Sequence, residues 1–286
     1  MPVTTPAARG PGPERASLPI GVFDSGVGGL TVLRAIRARL PHESTLYLGD
    51  TARVPYGTKS PASVLRYAEQ ATDHLIRRGV KLLVVACNTA SALSIGPLRA
   101  RFAPLPVIGV VEPGADAAVA ASRLQRHVVL ATESTVRQHA YARAIQARVP
   151  HADVTEVACS LFVALAEEGW TEGPVADAVA RQYLGGLAAS PPAARPDSIV
   201  LGCTHFPLLR GSIRSVVGEG PSIVDSATTT AAVVAAELDR LGLGRTTEER
   251  PGHALLATDG AERFAAVGSR FLAEPLASSD IEVVDL

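Results

Sequence analysis

Lysine is almost missing from this chain: Lys59 and Lys81 are the only two among 286 residues. Neither stands in a context suited to a Schiff base, so no pyridoxal phosphate motif can be read. Cysteine is sparse as well. Cys87, Cys159 and Cys203 are too few, and odd in number, for a disulfide framework, and they point to a reducing compartment. Aromatic residues are 4% of the chain, so a core drawn from its 47% hydrophobic content is mostly Ala, Val, Leu and Ile. That mixture suits buried parallel strands covered by alanine-rich helices. Charge of one sign is missing too. The 27 basic and 28 acidic residues leave a net charge of −1, which disfavours nucleic acid as a partner. Basic clusters such as RAIRARL (34–40) and RRGVK (77–81) read as solvated helix faces. No apolar run approaches the roughly 18 residues that span a bilayer. The Pro-, Ala- and Gly-rich start lacks the apolar stretch of a signal peptide. A soluble cytoplasmic protein is expected, with residues 1–18 as a disordered tail.

Short β-rich runs alternate with amphipathic stretches through the rest of the chain. The runs include PIGVF (19–23), STLYLG (44–49), KLLVVA (81–86), PVIGVV (106–111), HVVLAT (127–132), DVTEVA (153–158), SIVLG (198–202) and SIVD (222–225). Helical candidates lie at 29–40, 62–79, 135–148 and 174–189. This alternation predicts an α/β fold with mainly parallel sheets flanked by helices. In such sheets ligands bind beyond the carboxyl ends of strands. Four runs end in reactive or polar residues: FDSGVGG (23–29), ACNTAS (86–91), ATEST (131–135) and GCTHF (202–206). VVACNTA (84–90) and VLGCTHF (200–206) echo one another, with their cysteines 116 positions apart. The echo suggests two similar halves facing each other across a site.

Each cysteine taken alone fits a small buried hydrophobe. Cys159, followed by Leu161, Phe162 and Val163, stays with that reading. Cys87 and Cys203 share a setting at strand ends before helix starts, where a thiol pKa is lowered. A disulfide is disfavoured by compartment. Zinc needs three or four ligands, and only His205 lies beside either cysteine. A Cys–His nucleophile would leave one thiol idle. Inversion at a carbon uses both: one group removes a proton from one face, and its counterpart delivers a proton to the other.

Gly26, Gly28 and Gly29 give GxGG rather than GxGxxG, so a dinucleotide role is weak, and a turn whose amides suit an anion fits better. Asp24 and Ser25 at its edge serve either as a helix cap or as a thiol partner and a ligand hydrogen bond. Val54-Pro55-Tyr56-Gly57 is either a rigid turn alone or a binding loop that uses Tyr56 and the Gly57 amide. His205 is either an ordinary loop residue or the group that tunes Cys203.

Taken together, GVFDSGVGGLTV (21–32), GDTARVPYGTKS (49–60), VACNTAS (85–91), ATEST (131–135), LGCTHFPLL (201–209) and LATDGAERFAAVGSRFL (256–272) resemble the glutamate racemases of bacterial cell-wall synthesis, in the aspartate/glutamate racemase superfamily. The resemblance implies a cofactor-independent isomerase that interconverts L- and D-glutamate for peptidoglycan, with no metal. It implies Cys87 as the acid/base facing the D-isomer, supported by Asp24, and Cys203 as the one facing the L-isomer, supported by His205 and Glu167. Ser25, Tyr56, Gly57, Asn88, Thr89, Thr132, Thr135 and Thr204 would bind substrate, together with Asp24 and His205, and Asp50 would join the polar network. The fold implied is two α/β domains with the site in the cleft between them. The first would span 19–112 and be completed by 225–286; the second would span 113–224. Homodimers are common in the family. Phe206 stands where the family often has Tyr. The competing readings are another racemase of the superfamily and a catalytically idle binding protein for an acidic amino acid.

Overall fold

Buried apolar runs too short for helices become strands when helices cover both faces. In the computed structural model, which describes residues 13–191, 194–246 and 249–286, ten strands build two sheets. The first sheet holds β1 (Ile20–Asp24), β2 (Thr45–Gly49), β3 (Leu82–Val85) and β4 (Val107–Gly109). The second holds β5 (Arg126–Ala131), β6 (Asp153–Ala158), β7 (Ser198–Gly202) and β8 (Ser222–Asp225). The chain then returns to the first sheet with β9 (His253–Ala257) and β10 (Ile281–Val283). Every pairing is parallel. Every residue of β1, β2, β3 and β7 is buried, as strands covered on both sides must be.

The strand orders are β10-β9-β2-β1-β3-β4 and β6-β5-β7-β8. The run β2-β1-β3-β4 in one sheet therefore repeats as β6-β5-β7-β8 in the other. In each, the chain steps from its first strand to one side and then crosses to the other. The crevice at such a reversal is where open parallel sheets place ligands. Cys87 follows β3 and Cys203 follows β7, at the two equivalent reversals. Phe23 pairs with Val85 and Ala131 with Gly202, so Asp24 is the counterpart of Ala131, and Ser25 of Thr132.

The helix Ser226–Leu241 packs on both Leu30–Arg39 and Val111–Ala121 and so links the two halves. Its start is fixed by Asp225, whose carboxylate accepts from the Ala227 and Thr228 amides at 3.1 Å. The expected division at 112/113 falls inside Val111–Ala121, and that at 224/225 falls between the last two residues of β8.

Several expectations change. The 135–148 stretch is two helices, Glu133–Arg137 and Ala140–Arg148, because His139 adopts φ 47° and breaks the ladder. The 256–272 segment, which the resemblance matches to the family's last strand and helix, holds the end of β9 and the helix Ala261–Leu272, and a short further strand, β10, follows it. Residues 1–12 of the expected tail lie outside the described residues. Pro13–Ala16 forms a helical turn rather than a disordered stretch, and the Ala16 carbonyl accepts from Lys81 Nζ at 2.7 Å. Lys81 is not on a solvated face. It is fully buried, ion-paired with Glu43, and donates also to the Leu243 carbonyl at 2.8 Å. No helix among the described residues is long and apolar enough to cross a membrane.

Candidate active site

Cys87 caps the helix Asn88–Arg101, and the Ala90 amide donates to its sulfur at 3.5 Å. The thiol donates to Ser25 Oγ at 3.4 Å. Asp24, buried at the end of β1, accepts from the Gly26 amide at 2.9 Å and from the Tyr47 hydroxyl at 3.3 Å. The Tyr47 hydroxyl also donates to the Gly26 carbonyl at 2.9 Å, so one side chain of β2 braces the whole 24–26 turn. Burial, and after it the Asp24 charge, pushes the Cys87 thiol up to about 12, which Ser25 and the Ala90 amide only partly offset. This reverses the expectation that the helix start lowers its pKa. One cap amide at 3.5 Å does not outweigh the loss of water.

Cys203 is provided for differently. Its sulfur lies 3.8 Å from His205 Nδ1, and His205 Nε2 lies 3.1 Å from Glu167 Oε1. Burial works against a charge on the ring, yet Cys203 and Glu167 together overcome it and raise His205 to about 10. His205 in turn holds the Glu167 carboxyl below its ordinary range, with Arg263 contributing. The Phe271 ring stands edge-on to His205, with centroids 4.9 Å apart.

The two loops meet. A Cβ on Gly28 would lie 2.4 Å from both His205 Nδ1 and Thr204 Oγ1, so only glycine lets the 26–29 turn press against the Cys203 loop. Thr31 Oγ1 donates to the Thr204 carbonyl at 3.2 Å. Three hydroxyls from both halves form a cluster: Thr89 and Thr132 at 3.0 Å, Thr132 and Thr135 at 3.1 Å, Thr89 and Thr135 at 3.4 Å. Gly57 abuts Thr132, where a Cβ would sit 3.3 Å from the threonine Cβ. The Tyr56 hydroxyl is committed to Asp50, so this loop offers Thr132 its backbone rather than the phenol. Asp50 also accepts from Arg53 Nε at 2.7 Å and Thr258 Oγ1 at 3.0 Å, as an internal strut. A cavity of about 170 Å³ opens beside the turn, with Gly26, Val27, Glu167 and Arg263 in its wall. A larger one, about 430 Å³, has none of the site residues in its lining.

The structure thus brings together Asp24, Ser25 and Cys87, then Cys203, Thr204, His205 and Glu167, and, as a third group, Thr89, Thr132 and Thr135. Two buried thiols with different neighbours at equivalent strand ends suit proton transfer. The family model for Asp/Glu/Hydantoin racemase matches residues 30–236. The chain belongs to this family. The glutamate racemase of Geobacter metallireducens is 51% identical over 253 residues, covering 88% of this chain and 92% of that protein. That of Syntrophus aciditrophicus is 44% identical over 258 residues, covering 90% and 94%. Among solved structures, glutamate racemase from Francisella tularensis in complex with D-glutamate matches with a TM-score of 0.87 at 33% identity, over 94% of this chain and 98% of that one. The Thermus thermophilus enzyme in complex with β-chloro-D-alanine matches with a TM-score of 0.83 at 42% identity, over 95% and 98%.

Sequence reasoning assigned no role to Tyr47 and Tyr141, which lie outside the motifs, nor to Arg263 and Phe271, which lie within the 256–272 segment; all four touch site residues. A signal existed for the tyrosines, since a phenol buried in a strand or helix needs a polar partner. Phe206 is buried edge-on against Phe162, with centroids 5.3 Å apart, in an apolar setting that suits the missing hydroxyl. Cys159 is fully buried, and its surroundings push it up to about 12.

Proposed function

We propose that this chain interconverts L- and D-glutamate by proton transfer at Cα between Cys87 and Cys203, supplying D-glutamate for peptidoglycan in the cytoplasm. The observation that carries this reading is the placement of two cysteines at topologically equivalent strand ends in a chain of this family. One thiolate takes the α-proton, and the other thiol gives its own proton to the opposite face. One S–H bond forms as one breaks, and the reverse reaction exchanges the roles. Asp24 supports Cys87, while His205 and Glu167 support Cys203. Ser25, Asn88, Thr89, Thr132, Thr135, Thr204 and the Tyr56–Gly57 loop hold the carboxylates and the ammonium. A water-poor site with fixed dipoles stabilises the carbanionic transition state, and the scheme calls on no cofactor. The site lies between two units, 19–112 with 225–286 and 113–224, and a homodimer is the assembly we favour.

The test is incubation with L-glutamate in D2O without added cofactor, followed by optical rotation and the Cα–H signal. Racemisation with deuterium uptake is expected. Folded protein that gives neither overturns the proposal, and turnover of aspartate alone moves it to another branch of the family.

A further inference from the structure

We propose that Tyr141 is a positioning residue: its hydroxyl fixes the flip of the Asn88 side-chain amide, so that the amide oxygen is the atom offered to the substrate's ammonium group. This rests on the function proposed above and extends it to a residue outside the racemase motifs.

Asn88 directly follows Cys87, and it is almost fully buried. Its Nδ2 donates to the Tyr141 hydroxyl at 2.8 Å, a contact from one half of the molecule to the other. Its Oδ1 is buried and has no partner in the protein. An unmatched buried carbonyl costs free energy until something donates to it. An amide can present either end, and the end it presents decides the chemistry. With nitrogen free it would suit a carboxylate; with oxygen free it suits an ammonium. Tyr141 decides between them. The Tyr141 oxygen accepts from Nδ2, so Oδ1 is the end left free for a donor.

The ring itself has no freedom to drift. A Cβ on Gly114 would lie 3.0 Å from its hydroxyl oxygen and from Cε1, and a Cβ on Gly202 would lie 3.0 Å from Cε2. Gly202 is the residue before Cys203. Tyr141 therefore packs against one thiol loop and hydrogen-bonds the other.

The test compares wild type with Tyr141→Phe, which keeps the ring and removes the hydroxyl. KM for either isomer of glutamate is expected to rise about tenfold, the effect of loosening one charge-assisted hydrogen bond, with a much smaller change in kcat. Glutarate has both carboxylates and no ammonium, so it should inhibit wild type and variant equally. Asn88→Ala should raise KM similarly, and Tyr141→Phe should add nothing in that background. If Tyr141→Phe does not fold, 4-fluorophenylalanine at position 141 replaces it, filling the volume of the hydroxyl without its proton, with a rise in KM that is likewise absent beside Asn88→Ala. An unchanged KM, additive losses, or weakened glutarate inhibition overturns the assignment while leaving the racemase reading intact. A wild-type protein that does not turn over glutamate overturns both.

Discussion

Ser25 and Thr132 follow equivalent strands, but the residues before them differ: Asp24 on one side, Ala131 on the other. The Cys87 loop thus has a carboxylate at its shoulder. The Cys203 loop has none there and carries a histidine two residues on, held by Glu167. An anion and a cation beside two otherwise matching thiols make them unequal before any substrate arrives. A duplicated topology supplies two thiols at equivalent positions; it leaves their charged neighbours free to differ, Asp24 beside one and His205 beside the other.

The largest effects should come from the thiols. Cys87→Ala and Cys203→Ala are each expected to lower kcat/KM at least about a thousandfold, measured by circular dichroism of glutamate. Substantial activity in either would remove the two-thiol scheme. Adjacent glycines come next, because they strike opposite loops. A Cβ on Gly28 meets His205 and Thr204, whereas one on Gly29 would lie 2.6 Å from Asp24 Cβ and 2.9 Å from Ala86 Cβ. Each alanine variant should lose about a hundredfold in activity through misplacement. Only Gly28→Ala should move the His205 ring signals in an NMR spectrum, and equal shifts from both would mean that the two glycines do not act on separate loops.

The two enantiomers have equal free energy, so kcat/KM changes equally in both directions for any variant. The thiols must be separated by probes of their own. Glu167→Gln removes the anion that helps hold His205 near 10, so the alkaline limb of the pH–rate profile should move to lower pH, with kcat down about tenfold. The raised histidine also contributes stability. That contribution is complete below the ring's ordinary 6.5 and is lost as pH rises through about 10, so denaturant stabilities of wild type and variant should converge across that window. Asp24→Asn removes a negative neighbour, so the Cys87 midpoint should fall from about 12, read from alkylation rates in a Cys203→Ala background. A midpoint that stays put would leave burial as the sole cause. Cys159→Ala marks the lower end of the scale. It should leave activity within about twofold and cost about 1 kcal/mol in stability.

Most of the fold was legible because buried parallel strands are continuous apolar runs, and the eight runs noted in the sequence contain β1 to β8 or all but an end residue of them. The reactive strand ends were legible for the same reason, since a polar residue after such a run stands out. Local pattern did not reveal the break at His139, where the period continues and one left-handed residue interrupts it. Nor did it reveal the burial of Lys81, whose partners Glu43 and Leu243 are far away in sequence. Asp24, His205 and Cys87 were found, but the sign of the Cys87 shift was not. Desolvation is a property of the assembled surroundings, and spacing does not record it. Tyr47 and Tyr141 escaped for a related reason: each is an unremarked residue inside an element, given its role by what lies across from it.

The buried Lys81 has a practical consequence. With one lysine sealed in the interior and the other, Lys59, in the loop beside Tyr56 and Gly57, an amine-reactive label on a side chain of the folded protein goes to Lys59, next to the substrate loop. Acylation of Lys81 requires its ties to Ala16, Glu43 and Leu243 to open together. The ratio of the two labels, followed by mass spectrometry, is a built-in clock that separates movement of one loop from opening of the core.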